Sequence, residues 1–255
     1  MKKRIKLLSI LLTMLISISL LSENIIAIEN YTEGALTEEE INIVNELSEI
    51  DPNFDPYEGE IISVSKTVLV ETPETYNENG ASTYGVIGDN YMDLYVTVSR
   101  INSSGFDKFK IYSYFKWKKQ PYFKGTDALA IAWSDDFTLL SSSMNLYYTT
   151  EHSDFTKGLN KSISNPSAVS PEAGIGYSFD LFNAFPTAFL QSGNLSAYVH
   201  KHDSTGTANV VTKYVHTKLN VGISSFSFSK GSRPSISISV MGASDDRTAY
   251  NSFYY

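Results

Sequence analysis

Few side chains in this sequence are of types, and at spacings, that could do chemistry. His200 and His202 stand two apart in LSAYVHKHD, and alternate residues of a strand point the same way, so two imidazoles could share one metal ion. A third ligand is wanting. With Asp203 paired to Thr207 across a Ser204-Thr205-Gly206 turn, His216 falls opposite Asn194, about 20 Å along the strand from His200. No bound metal or other cofactor is therefore expected, and His200 and His202 remain weak candidates.

The remaining catalytic patterns fail in the same way. The chain has no cysteine, and it lacks a Gly-x-Ser-x-Gly elbow and a His-Glu-x-x-His pair. Ser63-x-x-Lys66 and Ser227-x-x-Lys230 match a nucleophile spacing, but both lie in alternating, strand-like stretches where that motif needs a helix start. Asp135, Asp136, Glu172 and Asp180 are of the type a glycosidase needs, yet nothing local brings two of them to one sugar ring. No catalytic residue is assigned. Tyr112, Tyr114 and Lys116 form the better binding candidate, since aromatic rings on a flat sheet suit pyranose faces.

The elements that carry these residues are strands. Ile61–Val70 alternates, and so do Met92–Val98 and Phe109–Lys118, where Phe109, Ile111, Phe115 and Trp117 take one face and Lys110, Tyr112, Tyr114 and Lys116 the other. The second face is expected to be solvent-exposed. ALAIAW, 128–133, is apolar on both faces and reads as a central strand; Gln120-Pro121 and Asp135-Asp136 are turns on either side. SSFSFS and SISISV alternate strictly around KGSRP. About ten strands at short spacing without intervening helices predict an all-β fold, an antiparallel β-sandwich with a short N-terminal helical extension.

That extension is LTEEEINIVNELSEIDP, with Thr37 and Glu40 as a capping box, acidic residues in the first turn and Asp51-Pro52 at the end. Ile43, Leu47 and Ile50 share one face. The helix either rests on the domain, frays in solvent, or docks a partner. Residues 51–60 read as an extended linker, and residues 72–90 as a mobile loop.

At the N-terminus, Lys2, Lys3, Arg4 and Lys6 precede the uncharged run Leu7–Leu21. This is the layout of a signal peptide, shorter than the ~20 residues that span a bilayer. Residues 1–27 are thus expected to be removed on export, with an uncleaved anchor as the alternative. Residues 28–60 follow as acidic helix and linker, and 61–255 as the β-domain. The formal charge is −8 for the whole chain, and without residues 1–27 it is −11, from 16 basic and 27 acidic residues. So acidic a chain is poorly suited to nucleic acid, and no lasting membrane insertion is expected after cleavage.

WKKQPYFKGTDALAIAWSDDF and GIGYSFDLF resemble a group of exported β-rich proteins of Bacillus- and Clostridium-like Gram-positive bacteria that have no assigned activity. The resemblance spans about Tyr91–Val240 and implies an extracellular or envelope-associated β-domain; it brings no catalytic residues. The function expected is non-catalytic binding or structure, with cell-wall glycan or an envelope protein as partner. Two alternatives stay open: a carbohydrate-active hydrolase, which requires converging carboxylates, and a β-type pore-forming toxin, which requires a detachable amphipathic hairpin. The arms of SSFSFS and SISISV have about seven alternating residues each, against the ~9–11 of a membrane strand.

Overall fold

The computed structural model describes residues 36–69, 74–76, 82–84, 91–103, 106–121, 123, 125–134, 136–150, 159–184, 187–202, 205–218 and 222–255. The expected signal peptide and its cleavage region lie outside the described residues. Leu36–Tyr255 forms one compact unit.

Thr37 caps helix α1 (Glu38–Ile50) as the sequence predicts: its side chain accepts from the Glu40 amide while the Glu40 carboxylate accepts from the Thr37 amide. The residues after it are not extended. Asp51 ends the helix, its carboxylate accepts from the Asn53 amide at 3.0 Å, and Asp55 does the same for Tyr57 at 2.8 Å, which folds 51–59 into turns. Local carboxylate-to-amide bonds of this kind override the extended preference of residues before proline.

All strands pair antiparallel, in two main sheets. The larger runs β1 (Glu60–Leu69), β4 (Met92–Ser103), β5 (Phe106–Trp117), β12 (Thr187–Lys201), β7 (Phe137–Thr150) and β8 (Leu159–Ile163), with β11 (Phe182–Ala184) also on β12. The smaller runs β16 (Ser244–Tyr254), β13 (Thr207–Thr217), β6 (Thr126–Trp133), β10 (Gly174–Asp180) and β9 (Ala168–Ser170). Within the stretch expected to be a loop, β2 (Glu74–Tyr76) pairs with β3 (Ser82–Tyr84); the rest of 72–90 is outside the described residues. β14 (Ile223–Ser229) and β15 (Ser235–Val240) pair only with each other.

The two main sheets enclose one core, an all-β sandwich as the alternation implied. Phe109, Ile111, Phe115 and Trp117 meet Leu129, Ile131, Trp133 and Tyr214 there. Phe115 stacks on Phe179 with ring centroids 5.5 Å apart, and the Trp133 indole donates to Phe137 O at 3.2 Å. β6 is central and buried along almost its whole length, as read from ALAIAW.

One local reading fails. β12 and β13 are not a hairpin: β12 pairs with β5 and β7 in the larger sheet, β13 with β6 and β16 in the smaller. A turn-like triplet specifies a reversal of the chain but not which strands then pair.

Both outer faces of the sandwich are covered. Helix α1 and Phe54 lie on the large sheet over Tyr95, Tyr112 and Tyr114. The β14–β15 hairpin lies on the small sheet over Ala130, Ala132 and Val211. The order through the molecule is helix, large sheet, small sheet, hairpin.

Candidate functional site

Tyr112 and Tyr114 are on the face opposite the core, as period two requires, but they are not exposed: they retain 2 % and 1 % of their accessible surface. The expectation of a solvated aromatic face is corrected, because the helical extension occupies it. Tyr112 donates to the Asp51 carboxylate and Tyr114 to Ile50 O at 3.1 Å. Lys116 on the same strand is half-buried. Around them Glu46 accepts from Lys66 at 2.6 Å and from Tyr95 at 2.9 Å, and Glu58 accepts from Lys110 and Tyr198. Burial, and then the Asp51 charge, pushes the Tyr112 phenol far above its ordinary value. Burial alone would raise the Glu46 and Glu58 carboxyls, but their hydrogen bonds from lysine and tyrosine hold both below the usual glutamate range.

His200 and His202 do lie together, ring centroids 5.0 Å apart. His202 bonds through Nε2 to Thr138 Oγ1 at 2.5 Å, and among the described residues no three His, Cys, Asp or Glu side chains are grouped to hold a metal ion. His216 is elsewhere, fully buried on β13. Its Nδ1 is 3.0 Å from Asp127, which also accepts from Tyr214 Oη at 2.6 Å and the Thr217 amide at 3.0 Å. Burial and the Asp127 charge raise the Tyr214 phenol well above its ordinary value. Closed to solvent, this cluster pins the end of β13. Just beyond it Lys218 pairs with Asp245 at 3.1 Å and donates its amide to Ala243 O at 2.9 Å, so the chain leaves and re-enters the body at one tied point.

Between those feet stands the hairpin. Phe226, Phe228, Ile236 and Ile238 face inward, while Ser225, Ser227, Ser229, Ser235, Ser237 and Ser239 are exposed. Its floor is made of the small residues of β6 and β10, with Val211 of β13 beside them. An ideal Cβ at Gly176 would come within 2.5 Å of the Phe226 ring, and one at Gly174 would strike Phe228. The Gly-x-Gly of GIGYSF thus clears the seats of two phenylalanines, and the alternate alanines of ALAIAW flatten the surface beside them. A bulge falls between Ile223 and Ser225. At the tip, Lys230 pairs with Glu172 at 2.5 Å and Asn209 donates to Ser232 O at 2.7 Å. This amphipathic hairpin on a small-residue floor is the feature that sequence reasoning under-weighted. Its signal was present in pieces: a Ser/Phe alternation, and two strands whose second faces carry runs of small residues, Ala128, Ala130 and Ala132 on one and Gly174 and Gly176 on the other.

Among the described residues no helix is long and apolar enough to cross a membrane. No family model matches the chain, and no curated protein matches it. Solved structures that it is similar to include a pore-forming protein, 8 % identical over 79 % of this chain and 98 % of that one, with a TM-score of 0.35. Another is a family 29 carbohydrate-binding module from Piromyces equi, 12 % identical over 54 % of this chain and 85 % of that one, at 0.21. A third is AvmM, which catalyses macrocyclization in alchivemycin A biosynthesis, 9 % identical over 58 % of this chain and 89 % of that one, also at 0.21. At these values none of the likenesses identifies a function.

Proposed function

We propose that this is an exported β-protein that acts at a membrane surface by releasing the β14–β15 hairpin from its floor and inserting it as a pair of strands. The observation that carries the reading is that the hairpin shares no ladder with either main sheet and keeps Phe226, Phe228, Ile236 and Ile238 on a floor of small side chains, with hydroxyls outward. Hinging it away breaks no inter-strand backbone hydrogen bonds to the body. Its aromatic and aliphatic face can be buried again in hydrocarbon, while its serine face suits a polar lumen.

The ordered strands have seven and six residues; in the sequence the alternation of the first arm extends back through Ile223, Val221 and Leu219, whereas that of the second ends at Val240, because Met241 follows on the serine face. The first arm can therefore supply the ~9–11 residues of a tilted membrane strand, and the second, with six, reaches that length only by carrying Met241 on its serine face. This reading departs from the expectation of no lasting membrane insertion and adopts the alternative whose requirement was a detachable amphipathic hairpin.

The absence of native cysteine permits a direct test. An ideal Cβ at Gly176 is 3.2 Å from Phe226 Cγ, so the pair G176C and F226C is placed to bridge hairpin and floor. Dye release from phosphatidylcholine and phosphatidylglycerol vesicles is expected for the parent chain and the reduced variant, and is expected to stop on oxidation. Release that is absent in the parent, or unchanged by oxidation, rejects the proposal.

A further inference from the structure

The face beneath helix α1 is built unlike a permanently buried one. Where β4 and β5 meet the core they carry Val96, Val98, Ile111 and Phe115; on the covered side the same strands carry Tyr95, Thr97, Lys110, Tyr112 and Tyr114. Lys66 lies over the Tyr95 ring at 5.1 Å and Lys110 over the Tyr112 ring at 5.1 Å, so cations and aromatic faces alternate across neighbouring strands. In a chain of net charge −8, this is a local concentration of lysine and phenol.

What covers it is acidic. Glu46, Asp51 and Glu58 place their carboxylates on Lys66, the Tyr112 hydroxyl and Lys110 respectively, and the Phe54 ring lies 5.5 Å from that of Tyr112. Only Leu47 of the helix is fully buried. The cover does not satisfy the whole face, for the Thr97 hydroxyl is completely buried and has no hydrogen-bond partner among the described residues; His200 Nδ1 is in the same position at the edge.

We infer that the Tyr95–Tyr112–Tyr114 face is a binding surface for an acidic polysaccharide, held shut by residues 36–58 acting as its internal stand-in. Each part of the cover occupies a place such a ligand would fill. The Phe54 ring lies against Tyr112 where a pyranose face would stack. The carboxylates sit on Lys66 and Lys110 as uronate groups would. Thr97 then has a sugar hydroxyl within reach. Because cover and ligand compete for the same lysines, apparent affinity rises in proportion to the fraction of molecules that are open.

The test uses full-length chains, E46Q/E58Q and separately L47D, with amide hydrogen exchange reporting whether α1 has lifted while β4 and β5 stay protected. Polygalacturonate is the probe, with dextran as neutral control and phosphatidylglycerol vesicles as the lipid alternative. Polygalacturonate binding about tenfold or more above that of the parent is expected, and it should disappear when Lys66→Ala and Lys110→Ala are added. The inference is overturned if α1 lifts without polygalacturonate binding, if dextran or vesicles bind equally well, or if α1 cannot be lifted in either variant without exposing β4 and β5. These outcomes are independent of vesicle leakage by the hairpin.

Discussion

The two outer faces of the sandwich are both covered, and the two covers differ in how far charge adds to apolar packing. Over the large sheet, α1 and the turns after it pack Leu47, Phe54 and the partly buried Ile43, Val44 and Ile50, and are tied besides by carboxylates reaching lysine and phenol groups. Over the small sheet, the hairpin is seated by ring and methyl packing on glycine and alanine, with one exposed ion pair at its tip. The first contact is directional and responds to pH, salt and competing anions. The second depends on shape, and a single added methyl group disturbs it. A cover held by charge can be exchanged for a charged ligand; one held by apolar surface is exchanged most readily for another apolar medium.

The largest effect is expected where one strand serves both the core and the hairpin floor. Trp133→Ala empties the core side of β6 and removes the bond to Phe137 O, and should cost about 3–5 kcal/mol in denaturant unfolding. A loss below ~1 kcal/mol would mean that this indole does not hold the body together.

Gly176→Leu should act on one cover alone. The new side chain takes the Phe226 seat, at about 1–3 kcal/mol of overpacking. Amides of β14 and β15 should exchange faster while those of α1 are unchanged. Equal acceleration in both would end the distinction between the two covers.

Tyr112→Phe is the converse. It leaves the buried Asp51 carboxylate without the phenol donor, a loss of about 1–2 kcal/mol that should loosen α1 and spare the hairpin. Acid should do the same. The Glu46 and Glu58 carboxyls titrate below their ordinary value, so their stabilisation is complete above the unfolded glutamate pKa and is lost as pH falls through the folded one. Protection of α1 should therefore decline below about pH 4 before the strands of the core lose theirs.

Lys230→Ala, which removes the exposed pair with Glu172, should be the smallest change, leaving the denaturant midpoint of unfolding where it was, because water and salt screen such a pair. A larger effect would show that the hairpin is latched by charge after all.

Much of this architecture was legible in local pattern. A capping box needs only Thr37 and Glu40 three residues apart, and the helix begins there. Period two assigned Ile111, Phe115 and Trp117 to one side of β5 and Tyr112 and Tyr114 to the other, because successive side chains of a strand must alternate. ALAIAW, apolar on both faces, could only be a strand covered on both sides. These are properties of a few consecutive residues, and their physics is local.

What lies against each face was not local. Nothing within YSYFKW says that its tyrosines meet a helix some sixty residues earlier, and the outward alternation of tyrosine reads identically whether water or α1 is above it. The Ser204–Gly206 triplet reads as a hairpin turn, yet β12 and β13 belong to different sheets, since strand partners are chosen by the burial of whole faces rather than by the residues that connect them. The serine and phenylalanine of β14 already defined an amphipathic strand. That its apolar side rests on two glycines of β10, two alanines of β6 and Val211 of β13 is a matter of tertiary packing, because a ring finds a seat only where distant backbones have left room for it.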